Sequence, residues 1–182
     1  MQYIEVEKKY FIHEPAALKA AIVERGGVKE PAIRQVDDYF NAPHKDFLAS
    51  PAITEWVRLR TSNFCSFNYK CWHLDDPGRR YADEFETPIG DPIAMRKALE
   101  ALGFTLMVTV DKIRDVWTLP GLEIAFDLIA GLGQFVEFEF KGDAEHPADA
   151  LVKLDEHIAG LDVQVGEQIN RGYPQILLNR KQ

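Results

Sequence analysis

The sequence predicts an α+β fold: a closed, eight-stranded antiparallel β-barrel with flanking helices. Three observations carry this. Eight segments have the alternation of strands, and few helices fall between consecutive ones, which favours antiparallel neighbours. Eight such strands are enough to close a sheet on itself. Charged residues also recur two apart within these segments, and that spacing puts both on one face of a strand.

Taken in order, Tyr3 to Ile12 alternates, with Glu5, Glu7 and Lys9 on one face and Ile4, Val6 and Tyr10 on the other. Pro15 suits the first turn of a helix running to Arg25, and Gly26-Gly27 ends it. Ile33 to Phe40 is a strand stopped at Asn41-Ala42-Pro43. Glu55 to Thr61, Phe64 to Trp72 and Arg80 to Pro88 form a meander broken at Ser62-Asn63 and Asp75-Asp76-Pro77-Gly78. A second helix spans Pro92 to Leu102 and stops at Gly103. Met107 to Thr118, Leu122 to Leu128 and Gln134 to Lys141 are strands separated by Pro120-Gly121 and Gly131-Leu132-Gly133. Helices over Pro147 to Ala159 and Gly166 to Leu178 complete a single domain spanning 1–182.

The bulk properties exclude several classes. A hydrophobic fraction of 46% in 182 residues is that of a globular chain. A net charge of -8 argues against a nucleic-acid partner, which needs a basic surface. No apolar run approaches the ~20 residues of a membrane helix, and Met1-Gln2-Tyr3-Ile4 leads into charged residues without a secretory pattern. Cys65 and Cys71 would lie ~20 Å apart on one extended strand, too far for a disulfide. The expectation is a reduced, cytoplasmic protein without a membrane partner.

The charges themselves sort by strand. Glu5 and Glu7, Glu84 and Glu86, and Glu137 and Glu139 are acidic pairs; Arg58 and Arg60, and Lys112 and Arg114, are basic pairs. Lys9, Lys70 and Asp127 add single charges. Trp56 breaks the pattern, sharing parity with Arg58 while Val57 and Leu59 oppose it. One pair alone reads as an ordinary solvated strand face. Five pairs divided by sign point instead to an interior, where like charges need ligands or counter-charges. Carboxylates suit Mg²⁺ or Mn²⁺, and lysines and arginines suit phosphate oxygens. A metal-bridged polyphosphate satisfies both sets.

In this order the residues resemble the CYTH superfamily, the triphosphate tunnel metalloenzymes. Its opening Glu-x-Glu-x-Lys stands as Glu5-Val6-Glu7-Lys8-Lys9, followed by Arg58-Leu59-Arg60, Lys70, Glu84-Phe85-Glu86, Lys112-Ile113-Arg114, Asp127, Gly131-Leu132-Gly133 and Glu137-Phe138-Glu139, with a tail at Gly172-Tyr173. The resemblance implies an eight-stranded tunnel in which Lys9, Arg58, Arg60, Lys70, Lys112 and Arg114 hold triphosphate. Glu5, Glu7, Asp127, Glu137 and Glu139 would coordinate Mg²⁺ or Mn²⁺, and Glu84 and Glu86 would join the substrate-binding set. Glu7, Lys9, Arg58, Arg60 and Lys70 are the catalytic candidates.

Three activities fit such a tunnel: a triphosphatase acting on inorganic triphosphate or thiamine triphosphate, a class IV adenylyl cyclase acting on ATP, and a non-catalytic polyphosphate or nucleotide sensor. The opening Ile4 to Phe11 and Trp56 to Arg60 are similar to the hydrolase branch, and the His-Phe pair that precedes the first glutamate in cyclases is missing. Hydrolysis therefore leads, and every charged position is filled, which places the sensor last. The five histidines lack ligand spacing, and Trp56, Trp72 and Trp117 read first as core or rim residues. Arg79-Arg80 reads as a solvated turn, Arg180-Lys181 as a frayed end, and Tyr173 as packing its helix at a tunnel mouth. An apolar outer barrel face would serve to pair two subunits.

Overall fold

The computed structural model of the chain describes residues 3–50, 53–73 and 81–179. Asp75-Asp76-Pro77-Gly78, Arg79-Arg80 and Arg180-Lys181 lie outside them. The strands are β1 (Tyr3–Glu5), β2 (Glu7–Phe11), β3 (Val28–Lys29), β4 (Ile33–Asn41), β5 (Glu55–Thr61), β6 (Ser66–His73), β7 (Tyr81–Pro88), β8 (Thr105–Leu119), β9 (Leu122–Ile129) and β10 (Gly133–Phe140). The helices are α1 (Pro15–Glu24), α2 (Pro92–Ala101), α3 (Pro147–Gly160) and α4 (Tyr173–Asn179). All eight expected strands are present. The first is split at Val6 into β1 and β2, and the two-residue β3 is an addition.

The described strands form one antiparallel sheet, in the order β1-β7-β6-β5-β4-β8-β9-β10-β2, with β3 beside β8. It curls into a half-barrel. Its two ends are adjacent parts of one N-terminal stretch: Glu5 pairs with Ala82 of β7, and Glu7 pairs with Glu139 of β10.

Helices α1, α2 and α3 cover the convex face. Leu18 and Ile22 of α1 and Leu154 of α3 bury Ile124, Phe126, Val136 and Phe138. Each phenylalanine so buried contributes about 1.5–3 kcal/mol. Leu99 of α2 packs on Phe40, Val57 and Leu59. Proline opens α1, α2 and α3, where its missing N–H removes no helical bond. Asp91 caps α2 by accepting from the Ile93 and Ala94 amides at 2.9 Å each. No helix among the described residues is long and apolar enough to cross a membrane.

The last helix departs from expectation. A helix was expected from Gly166, yet residues 166–172 are largely extended and α4 begins only at Tyr173. The segment lies along β2 instead: the Phe11 amide donates to the Glu167 carbonyl at 2.9 Å, and the Ile169 amide to the Lys9 carbonyl at 2.8 Å. Gly166 permits this approach, because a Cβ there would stand 2.1 Å from the Phe11 carbonyl oxygen. Sequence pattern could not show that β2 leaves donors and acceptors for this segment.

Candidate active site

Strand register assembles the site. Glu137 faces Lys9, Arg114 faces Asp127, and Gln35 faces Lys112. Asp37 and Tyr39 of β4 face Arg60 and Arg58 of β5; Asn68 and Lys70 of β6 in turn face Arg58 and Trp56. On β7, Glu84 faces Lys70 and Glu86 faces Asn68. Because opposed residues share a face, these side chains all project from the concave side. They surround a cavity of about 880 Å³ whose walls include Glu7, Lys9, Arg58, Arg60, Lys70, Glu84, Glu86, Lys112, Arg114, Glu137 and Glu139. Glu5 lies on β1 at a position of the same parity.

Each expected phosphate-binding cation has a carboxylate partner. Lys9 Nζ lies 2.9 Å from Glu137. Arg114 grips Asp127 with Nε at 2.8 Å and a terminal nitrogen at 2.5 Å, and also pairs with Glu137. Lys112 stands 3.4 Å from Asp127. Arg60 forks onto Asp37 at 2.7 and 2.8 Å. Arg58 reaches Glu84 and Glu86 only at 3.4 and 3.3 Å, and Lys70 lies 3.8 Å from Glu84.

Asp127, expected as a metal ligand, is fully buried and takes a further bond of 3.0 Å from the Tyr173 hydroxyl. The Tyr173 ring lies under Lys9 at 4.1 Å and Lys112 at 5.3 Å. Tyr173 is thus a wall of the cavity that bridges two of its cations and a carboxylate. Trp56 meets Tyr39 edge-on at 5.9 Å within an apolar interior cluster that includes Val108, Val110, Ile129 and Phe135. Its shared parity with Arg58 is resolved by an interior that is charged in part and apolar in part.

Two of the buried lysines, Lys9 and Lys112, titrate in opposite directions. Burial lowers the affinity of Lys9 for its proton, but Glu137 and Glu7 outweigh it and hold the pKa above the ordinary value. Lys112 shares its one close carboxylate with Arg114, so burial and that guanidinium push its pKa down to about 8. Burial alone would raise Glu137, yet Lys9, Arg114 and Lys112 hold it well below the usual carboxylate range. Burial, then Glu137 and Asp127, push the Tyr173 phenol well up and keep it a donor.

Below about pH 8 the folded protein carries a buried Lys112 ammonium. Between there and the unfolded value of about 10.4, the unfolded chain keeps the proton that the folded chain has lost. The Lys112 contribution to unliganded stability therefore rises with pH across that window. An anion bound beside Lys112 favours the ammonium, so the gain in Tm given by triphosphate is expected to shrink between pH 7 and 9. Thermal melts with and without triphosphate measure this. A gain in Lys112→Met that falls as steeply as in wild type would assign the effect elsewhere.

The donor chemistry fits a divalent cation. Glu7, Glu139 and Glu123 stand opposite one another across β2, β10 and β9. Directly opposed like charges destabilise a sheet unless a cation intervenes, and Lys141 supplies one, at 2.6 Å from Glu139 and 4.0 Å from Glu123. Among the described residues, no three His, Cys, Asp or Glu groups already converge on one ligand point. Sequence reasoning missed Glu123, although Glu123, Ala125 and Asp127 share strand parity. It also missed Asp37, whose importance comes from its register with Arg60.

Comparison with known proteins places these observations in a family. A profile of the CYTH domain matches residues 3–173. Over 141 residues the chain is 28% identical to a Methanocaldococcus jannaschii protein provisionally named an adenylate cyclase, which covers 76% of this chain and 78% of that one. A Vibrio parahaemolyticus structure, also provisionally named an adenylate cyclase, superposes with a TM-score of 0.80 at 18% identity, covering 97% of this chain and 99% of that one. A Hippeastrum structure has a TM-score of 0.64 at 17% identity and covers 100% of this chain and 97% of that one. That protein is described as a provisional adenylyl cyclase with a dominant triphosphatase activity. At these identities the structural likenesses show the fold.

Proposed function

The chain belongs to the CYTH domain family, and on that premise we propose that it is a metal-dependent triphosphatase, hydrolysing inorganic triphosphate or a thiamine triphosphate-like compound. The observation that carries this reading is the convergence of Lys9, Arg58, Arg60, Lys70, Lys112 and Arg114, from four strands, on one cavity. Six cations suit the oxygens of three linked phosphates, and the arginines can take two oxygens each. We read the curl of the sheet as completed through Val6, between β1 and β2, which makes the cavity a tunnel.

In this reading substrate oxygens take over the cations from their carboxylates, with Arg58, at the longest contacts, the least committed of the three arginines. Glu7, Glu123 and Glu139, with Glu5 and Glu137, would hold Mg²⁺ or Mn²⁺. When bound, the ion supplies charge neutralisation and positions water for attack on the terminal phosphorus. Asp127 holds Arg114, Lys112 and Tyr173 in place. As diphosphate leaves, Lys9 and the arginines meet the charge that spreads over phosphate oxygens.

The test is an assay with Mg²⁺ or Mn²⁺ on triphosphate, thiamine triphosphate and ATP separately. Phosphate release without cyclic AMP supports the reading, and the relative rates identify the substrate. Cyclic AMP with pyrophosphate from ATP replaces it with a class IV adenylyl cyclase. Binding without turnover leaves a sensor of polyphosphate or nucleotide. Binding itself has a separate readout: triphosphate with Mg²⁺ at about a hundred times Kd should add about 2.7 kcal/mol and raise Tm by about 5–10 °C. An unchanged Tm would count against a triphosphate site altogether.

A further inference from the structure

Two complementary orphans sit side by side on the cavity wall. Arg58 Nε is a buried donor and Asn68 Oδ1 a buried acceptor, and among the described residues neither has a hydrogen-bond partner. Arg58 and Asn68 are directly opposed across β5 and β6. Asn68 is fully buried, and its amide nitrogen donates to Glu84, the carboxylate that also draws Arg58 and Lys70. Arg58 spends a terminal nitrogen on Glu84 and Glu86 at 3.4 and 3.3 Å, well beyond the about 2.7–2.9 Å of a good charge-assisted bond. A buried donor and acceptor left unmade are each costly, so this arrangement suits a second state in which they meet.

We propose that Asn68 is a positioning residue for Arg58, an assignment that rests on the triphosphate reading of the cavity. When phosphate oxygens draw the terminal nitrogens of Arg58 away from Glu84 and Glu86, Nε turns onto Asn68 Oδ1. Asn68 keeps Glu84 on its amide, so the carboxylate does not follow the arginine. The guanidinium is then held at its inner edge and presents its outer edge to substrate.

The test is a double-mutant cycle of Asn68→Leu and Arg58→Lys, since lysine has no Nε–H at that place. Affinity for inorganic triphosphate is measured by calorimetry with EDTA present, so that metal-dependent turnover does not intervene. Asn68→Leu is expected to weaken binding about tenfold in the Arg58 background and less than twofold in the Arg58→Lys background. Equal losses in both would overturn the proposal while leaving the cavity a triphosphate site. A wild-type protein that binds no triphosphate would instead overturn the reading of the cavity, and the proposal with it. A second readout does not depend on the leucine variant folding. The Nε–H resonance of Arg58 should gain exchange protection when triphosphate is added to wild type, but not to Asn68→Ser. Equal protection in both proteins would also sink the idea.

Discussion

Replacing Arg114 with alanine is expected to lower stability by about 3–5 kcal/mol and Tm by about 10–15 °C, and to remove activity. Arg114 forks onto Asp127 and pairs with Glu137, and both carboxylates are buried. Its loss leaves Asp127 to the Lys112 ammonium at 3.4 Å and the Tyr173 hydroxyl at 3.0 Å. Neither repeats the two parallel bonds of a guanidinium, so Arg114→Lys should also lose stability, though less. Thermal melts of the unliganded variants measure this separately from catalysis. A Tm for Arg114→Ala within 2 °C of wild type would show that Asp127 does not depend on the fork.

The second large effect falls on turnover. Lys9→Ala and Glu137→Ala are each expected to reduce the rate by about 10²–10³-fold or more while the protein stays folded. Each survivor keeps a counter-charge: without Lys9, Glu137 still has Arg114, and without Glu137, Lys9 still feels Glu7. Circular dichroism and initial rates on triphosphate separate the two results. Near-wild-type turnover in either variant removes that residue from the mechanism.

The contrast between these residues shows what sequence reading reaches. Alternation alone placed Lys112 with Arg114 and Glu137 with Glu139, because strand parity is local and antiparallel strands keep it over their length. The rows in which strands face one another are not local. Asp37 and Asp38 are adjacent acids in the sequence, and only the pairing of β4 with β5 sets Asp37 against Arg60. Parity would have found Glu123, two steps of two from Asp127, but the intervening Ala125 hid the pattern. Residues 166–172 carry helix-compatible composition, yet what decides them is a carbonyl of Phe11 too near for any side chain but glycine's hydrogen. Tyr173 was expected at a tunnel mouth, and the distances to Lys9, Lys112 and Asp127 come from the α4 position that this extended segment sets.

The placement of β1 and β2 at opposite ends of the strand order bears on how the chain acquires its structure. Residues 3–5 pair with residues 82–84, and residues 7–11 with residues 135–139. Among the described strand pairs, β2 with β10 therefore joins the residues farthest apart in the sequence. Loop closure over such separations is slow, so docking of β2 is expected late in refolding, after the β5-β6-β7 and β8-β9-β10 meanders have paired with near neighbours. Lys9 and Glu7 arrive with it. An intermediate lacking this docked stretch would have much of its sheet but an incomplete charged cavity, so ligand-binding competence should appear in a later kinetic phase than strand content.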